Sequence, residues 1–150
     1  MEYTFNRAEY ADSAVLFDGC QEQPLDLDVS LPDYCPDIQR ILKCQVTPCI
    51  LGHSFSGDRL EIDGSVRVRV LYLDSREDTV RCCEMDSGFS AAIPLREPGV
   101  RPCARVSDRV EYVNCRAASP RRLDIHGAFS VCALVLDRRI QPICTQAQEE

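Results

Sequence analysis

Residues 59–73 read Arg-Leu-Glu-Ile-Asp-Gly-Ser-Val-Arg-Val-Arg-Val-Leu-Tyr-Leu, and from Leu60 to Tyr72 every even position except Gly64 is apolar. A two-residue period puts one face in a core and the other in water, which is the geometry of a strand and not of a helix. The pattern returns at residues 122–136. Leu60, Ile62, Gly64, Val66, Val68, Leu71 and Leu73 are echoed by Leu123, Ile125, Gly127, Phe129, Val131, Leu134 and Leu136. The glycine keeps its place in both copies, and a glycine inside a strand marks a bulge, a bend or a close approach of another backbone.

The flanking segments supply partners for these two strands. Cys44 to Phe55 reads as an outer strand, placed at an edge by Pro48, which cannot donate to a ladder. Ser56-Gly57-Asp58 turns it into the first long strand. Thr79 to Ile93 reads as a strand broken near Asp86-Ser87-Gly88. Ala104 to Cys115 reads as a strand with Val106, Val110 and Tyr112 inward, and Ala118-Ser119-Pro120 turns into the second long strand. Two hairpin units thus repeat at an offset of 63 residues. At the start, residues 1–23 read as a polar arm with apolar islands, among them Val15, Leu16 and Phe17. Residues 24–140 read as the domain, opening with a strand at 24–31, and residues 141–150 as a polar tail. Between strands, Pro36 and Asp37 suit the first turn of a helix, and Ile38, Ile41 and Leu42 then fall on one helical face. The expected fold is all-β: a mostly antiparallel, jelly-roll-like β-sandwich with one short helix, a partly open barrel being the alternative.

A formal charge of −7 argues against a nucleic-acid partner, which needs a basic surface. The first ten residues have neither a basic nor an apolar segment, so no export signal is expected. The longest apolar run, Val131 to Leu136, is far too short to span a bilayer, so no membrane insertion is expected. A chain made in a cytoplasm sits awkwardly with ten cysteines. No Cys-x-x-Cys occurs, so a metal site is not expected, although Cys44 and Cys49 approach a ligand spacing. Free cysteine also packs as a small apolar residue. Cys20 and Cys144 lie in the arm and the tail, which suits bridges between subunits. Cys35, Cys44, Cys49, Cys82, Cys83, Cys103 and Cys115 are further disulfide candidates.

Catalysis needs a nucleophile, a base and an orienting group. His53 and His126 are the two histidines, one beside a turn and one on a polar strand face. The pairs Asp26/Asp28 and Glu61/Asp63 each share a strand face, which solvation explains as well as acid–base work does. No phosphate loop or nucleotide fingerprint is present. No catalytic residue and no cofactor is expected.

Leu31-Pro32-Asp33-Tyr34-Cys35-Pro36-Asp37-Ile38, with Ile41 and Leu42 following, resembles the signature of the SPOCS domain family, found in spore-coat morphogenetic proteins. The glycine-centred strand from Leu60 to Tyr72 and the later Phe89–Pro94 and Val110–Tyr112 segments match that family in order. The resemblance covers roughly residues 24–136. Relatives often carry several such domains and a peptidoglycan-binding LysM module, which is not seen in these 150 residues. The resemblance implies a non-enzymatic structural protein of the bacterial spore surface, in the coat, exosporium or an appendage. Such a protein is made in the mother-cell cytoplasm and assembles with itself into disulfide-stabilised oligomers or filaments, or with other spore-coat proteins. A carbohydrate- or peptidoglycan-binding, or coat-protein-binding, sandwich is the alternative.

Overall fold

A computed structural model of the chain describes the backbone of residues 3–149 and the side chains of residues 12–139. Six strands follow one another: β1 (Tyr3–Ser30), β2 (Ile38–Ser56), β3 (Arg59–Asp74), β4 (Val80–Pro94), β5 (Pro102–Ser119) and β6 (Arg122–Glu149). They form two three-stranded antiparallel sheets, ordered β1-β6-β5 and β2-β3-β4, packed as a β-sandwich. The two long alternating strands are the centres of the two sheets. Leu60, Ile62, Val66, Val68, Val70 and Tyr72 of β3 are buried against Leu123, Ile125, Phe129, Val131 and Val135 of β6. Along one side the sandwich is closed by β2 meeting β5, while on the other side β1 and β4 barely touch.

The repeat is larger than a hairpin. β1, its connecting loop, β2 and β3 correspond to β4, its loop, β5 and β6. Leu25 of β1 pairs with Gly127, and its counterpart Phe89 of β4 pairs with Gly64. The Leu31 amide donates to the Arg121 carbonyl at 2.8 Å, and the Leu95 amide donates to the Asp58 carbonyl at 2.7 Å. The Ser75 amide donates to Asp37, and the Arg138 amide to Arg101, in the same relation. β1 nevertheless does not join the sheet of its own repeat. It pairs with β6 of the second repeat, and β4 of the second repeat pairs with β3 of the first. Each repeat therefore completes the other's sheet with its first strand.

Both central glycines are explained by backbone proximity. A Cβ on Gly64 would lie 2.4 Å from the Cys49 carbonyl oxygen, and one on Gly127 would lie 2.4 Å from the Tyr112 carbonyl oxygen. Cys49 and Tyr112 are again counterparts, each in an outer strand that carries a bulge beside the glycine, at Ile50/Gly52 and at Val110/Tyr112. The Phe89 ring fills the space over Gly64 and meets Phe129 edge-on, with ring centroids 4.9 Å apart.

Four expectations are corrected. Residues 36–42 form no helix, and none occurs among the described residues. β2 starts at Ile38 and is bulged at Ile38/Arg40 and Ile41/Lys43. Each bulge adds a residue, so Ile38, Ile41 and Cys44 reach the core at a three-residue spacing that imitates a helix, while Leu42 is exposed. β4 is unbroken, because Asp86 faces outward and binds Arg67 at 3.0 Å. Tyr112 points outward, since the bulge after Val110 reverses the parity of β5, while Val110, register partner of buried Phe129, keeps the inward parity. Ala104 and Val106 face the core before the bulge, and Val113 and Cys115 after it. The strand expected from residue 24 begins at Tyr3, so residues 3–23 continue a paired strand, and Leu16 is 1% exposed in the core. No described helix is long and apolar enough to cross a membrane.

Candidate functional site

The signature loop, residues 31–37, carries the chain from β1 in one sheet to β2 in the other. Pro32 and Pro36 cannot donate to a ladder, so the loop's other polar groups must find partners outside either sheet. The β5–β6 turn supplies them. Arg121 donates from Nη1 to the Cys35 carbonyl at 3.0 Å and to Asp37 Oδ1 at 2.8 Å, and from Nη2 to the Pro32 carbonyl at 2.9 Å. The Leu31 amide donates to the Arg121 carbonyl, and the Ile38 amide to the Pro120 carbonyl at 2.8 Å. From the opposite sheet the Tyr72 hydroxyl donates to the Pro36 carbonyl at 3.0 Å. Burial pushes the Tyr72 hydroxyl up to about 12, so it stays a donor at any physiological pH. A single guanidinium and a single phenol thus clasp the loop to both sheets.

The loop roofs an open cleft of about 290 Å³ whose lining includes Asp33, Tyr34, Asp37, Arg76, Arg81 and Arg121. Buried Asp74 lies at its base, accepting from the Arg76 amide at 2.7 Å and from Arg81 at 3.4 Å. Of the signature residues, Leu31 and Ile38 are buried, and Ile41 packs on the core. Tyr34 is 86% exposed at the cleft rim. Alternating acids and guanidinia around a projecting tyrosine suit recognition of a polar protein surface.

The counterpart of Asp74 at the end of the other central strand is Asp137, which is fully buried. Its Oδ1 accepts from the Arg101 amide at 2.8 Å and the Val100 amide at 3.0 Å, and its Oδ2 from Arg139 at 3.2 Å. The Arg101 amide first, then Val100 and Arg139, hold this carboxyl below its ordinary value. Sequence reasoning missed both aspartates, whose one signal was a shared place after the repeated strand.

The cysteines divide into four settings. Cys20 and Cys132, register partners on β1 and β6, form a disulfide within the chain, so Cys20 is here not free to bridge subunits. Their counterparts in the other sheet are Glu84 and Arg69, an ion pair at 2.7 Å. Cys35 and Cys83 are buried and their thiols touch, burial pushing Cys83 up. Cys44 and Cys115 are half-buried and in contact across the β2/β5 side. Cys49, Cys82 and Cys103 are exposed. The Cys144 side chain lies outside the described residues. In the proposed arm, Leu16 is buried, Phe17 packs on the core and Val15 is exposed. His126 binds Asp26 at 2.6 Å on an outer face, and His53 packs edge-on against Phe55. No group of acids, histidines and cysteines able to hold a metal occurs among the described residues.

The signature loop of this duplicated β-sandwich is thus spent on joining its two sheets. The SipL, SPOCS domain family model matches residues 37–118, more than half of the chain, and the chain belongs to that family. The match takes in the signature from Asp37 onward and runs through β2, β3 and β4 to the end of β5. The family is a sporulation-related one. No curated protein and no solved structure matches the chain.

Proposed function

We propose that the chain is a non-enzymatic structural protein of the bacterial spore surface that assembles with itself into disulfide-stabilised oligomers or filaments. The observation that carries this reading is the state of the sheet edges. β1, β2, β4 and β5 are all outer strands, and exposed Cys49, Cys82 and Cys103 stand on three of them. Bare edges are templates for strand addition by another copy, and thiols placed on them make such contacts covalent. Exchange of β1 between copies is a second route, because β1 already completes a sheet that is not its own repeat's. It would carry Val15, Leu16, Phe17 and Cys20 into a neighbour and turn the Cys20–Cys132 bond into one between subunits. Cys144 is proposed as a further bridge. The final location is the coat, exosporium or an appendage, reached from the mother-cell cytoplasm.

Exposed Tyr34 over its charged cleft favours a second reading, a module that docks another spore-coat protein. Gel electrophoresis with and without reductant, together with electron microscopy, separates the two. Self-assembly predicts reductant-sensitive multimers and regular particles, reduced when Cys49, Cys82 and Cys103 are replaced by serine together. Monomers of one mobility in every condition, without particles, would overturn it.

A further inference from the structure

Cys44 and Cys115 belong to different sheets. Cys44 lies on β2 and Cys115 on β5, at the one side where the two sheets meet edge to edge. Both side chains face inward onto the core, Cys115 because the Val110/Tyr112 bulge has turned the second half of β5 over. Their thiols lie against one another. Both are only half-buried, so a dissolved reagent reaches them. No strand pairing joins β2 to β5, and the Ile38 amide's bond to the Pro120 carbonyl lies at one end of this side.

We propose that Cys44 and Cys115 are a redox site, a dithiol that oxidises to an intramolecular disulfide and bolts the two sheets together. The proposal does not rest on the spore-surface reading. The oxidant class is a small-molecule disulfide such as oxidised glutathione. The Cys44 thiolate attacks one sulfur of the glutathione disulfide, and one glutathione leaves as thiolate and takes up a proton. Cys115 loses its proton and attacks the Cys44 sulfur of the mixed disulfide, expelling the second glutathione. Two protein thiols become one disulfide, and one glutathione disulfide becomes two thiols. The two thiols share one contact, and the exchange balances equally with their roles reversed. Cys35 and Cys83 also touch, but at 8% and 5% exposure they are withheld from the reagent.

The test is to incubate the reduced full chain with oxidised glutathione, block the remaining thiols by alkylation, digest with trypsin and map the peptides. Cys44 falls in the peptide 44–59 and Cys115 in 110–116. The expected result is a cross-link between these two peptides, formed at a rate independent of protein concentration. It is kept in Cys49→Ser and lost in Cys44→Ser, and the denaturant midpoint rises further on oxidation in the wild type than in Cys115→Ser, where Cys20–Cys132 alone re-forms. Peptide 110–116 recovered with an alkylated or stably glutathionylated Cys115, or a cross-link that persists in Cys44→Ser, would overturn the proposal. Mapping the wild-type protein decides the matter even where a variant fails to fold.

Discussion

A methyl group at Gly127 would press 2.4 Å from the Tyr112 carbonyl oxygen and 3.1 Å from Val113 Cα, and backbone cannot swing aside as a long side chain does. Gly127→Ala is therefore expected to cost ~1–3 kcal/mol in chemical denaturation, the range of an overpacked core. Gly52→Ala, with nothing within 4 Å of the added carbon, is the control and should stay close to the wild type. A wild-type midpoint in Gly127→Ala would refute the close-approach account. The glycines could be read from the sequence because they break an otherwise regular alternation at the same place twice. Asp137 could not, because its amide donors Val100 and Arg101 lie far away along the chain. Its folded carboxyl titrates below the ordinary ~3.9, so the folded state holds fewer protons than the unfolded chain near that pH. The stability this gives is complete at neutral pH and is lost as the pH falls below about 4 through the folded value. Melting temperature followed from neutral to acid pH should drop less steeply in Asp137→Asn than in the wild type, from a lower neutral value. Parallel profiles would show that Asp137 does not couple folding to protons.

Loop 31–37 depends on Arg121 from the far end of the chain, so its element-scale prediction lies outside the loop itself. Arg121→Ala removes donors from two loop carbonyls and from Asp37. It is expected to lower stability by ~1–2 kcal/mol and to speed hydrogen exchange at Leu31 and Ile38, whose amides bond the same turn. Arg121→Lys should recover little, since an ammonium cannot span three acceptors with a planar fork. Unchanged exchange in the alanine variant would move the clasp elsewhere. Strand type and edge position were legible here, Pro48 marking β2 as an outer strand. The strand at the start of β2 was not, because its bulges give it the three-residue spacing that helices also show. One bulge in β5 likewise hid which residues face in, and with them the Cys44–Cys115 contact.

For the molecule as a whole, the offset of the two hairpins was readable from aligned glycines, but the exchange of first strands was not, since pairing over such distances leaves no local pattern. A fragment of residues 1–75 holds β1, β2 and β3 yet lacks β6 and β4, the strands that complete their pairing. It is expected to show no cooperative unfolding as a monomer by circular dichroism, and any folded material should be dimeric, two copies rebuilding the exchange. A folded monomeric fragment would show that the repeats are self-sufficient. The exchange also sets a clock on the growing polypeptide. Cys20 waits for a partner 112 residues further on, so β1 emerges first from the ribosome and is satisfied last. Chains made N-terminus first, at ~5–20 residues per second, expose such a strand for several seconds. Refolding should accordingly be slow for a chain of this size, in the ms–s range of folds dominated by distant pairings. During those seconds a neighbouring nascent chain's β6 is as good a match for β1 as its own, and crowded translation would favour the exchanged form over the closed monomer.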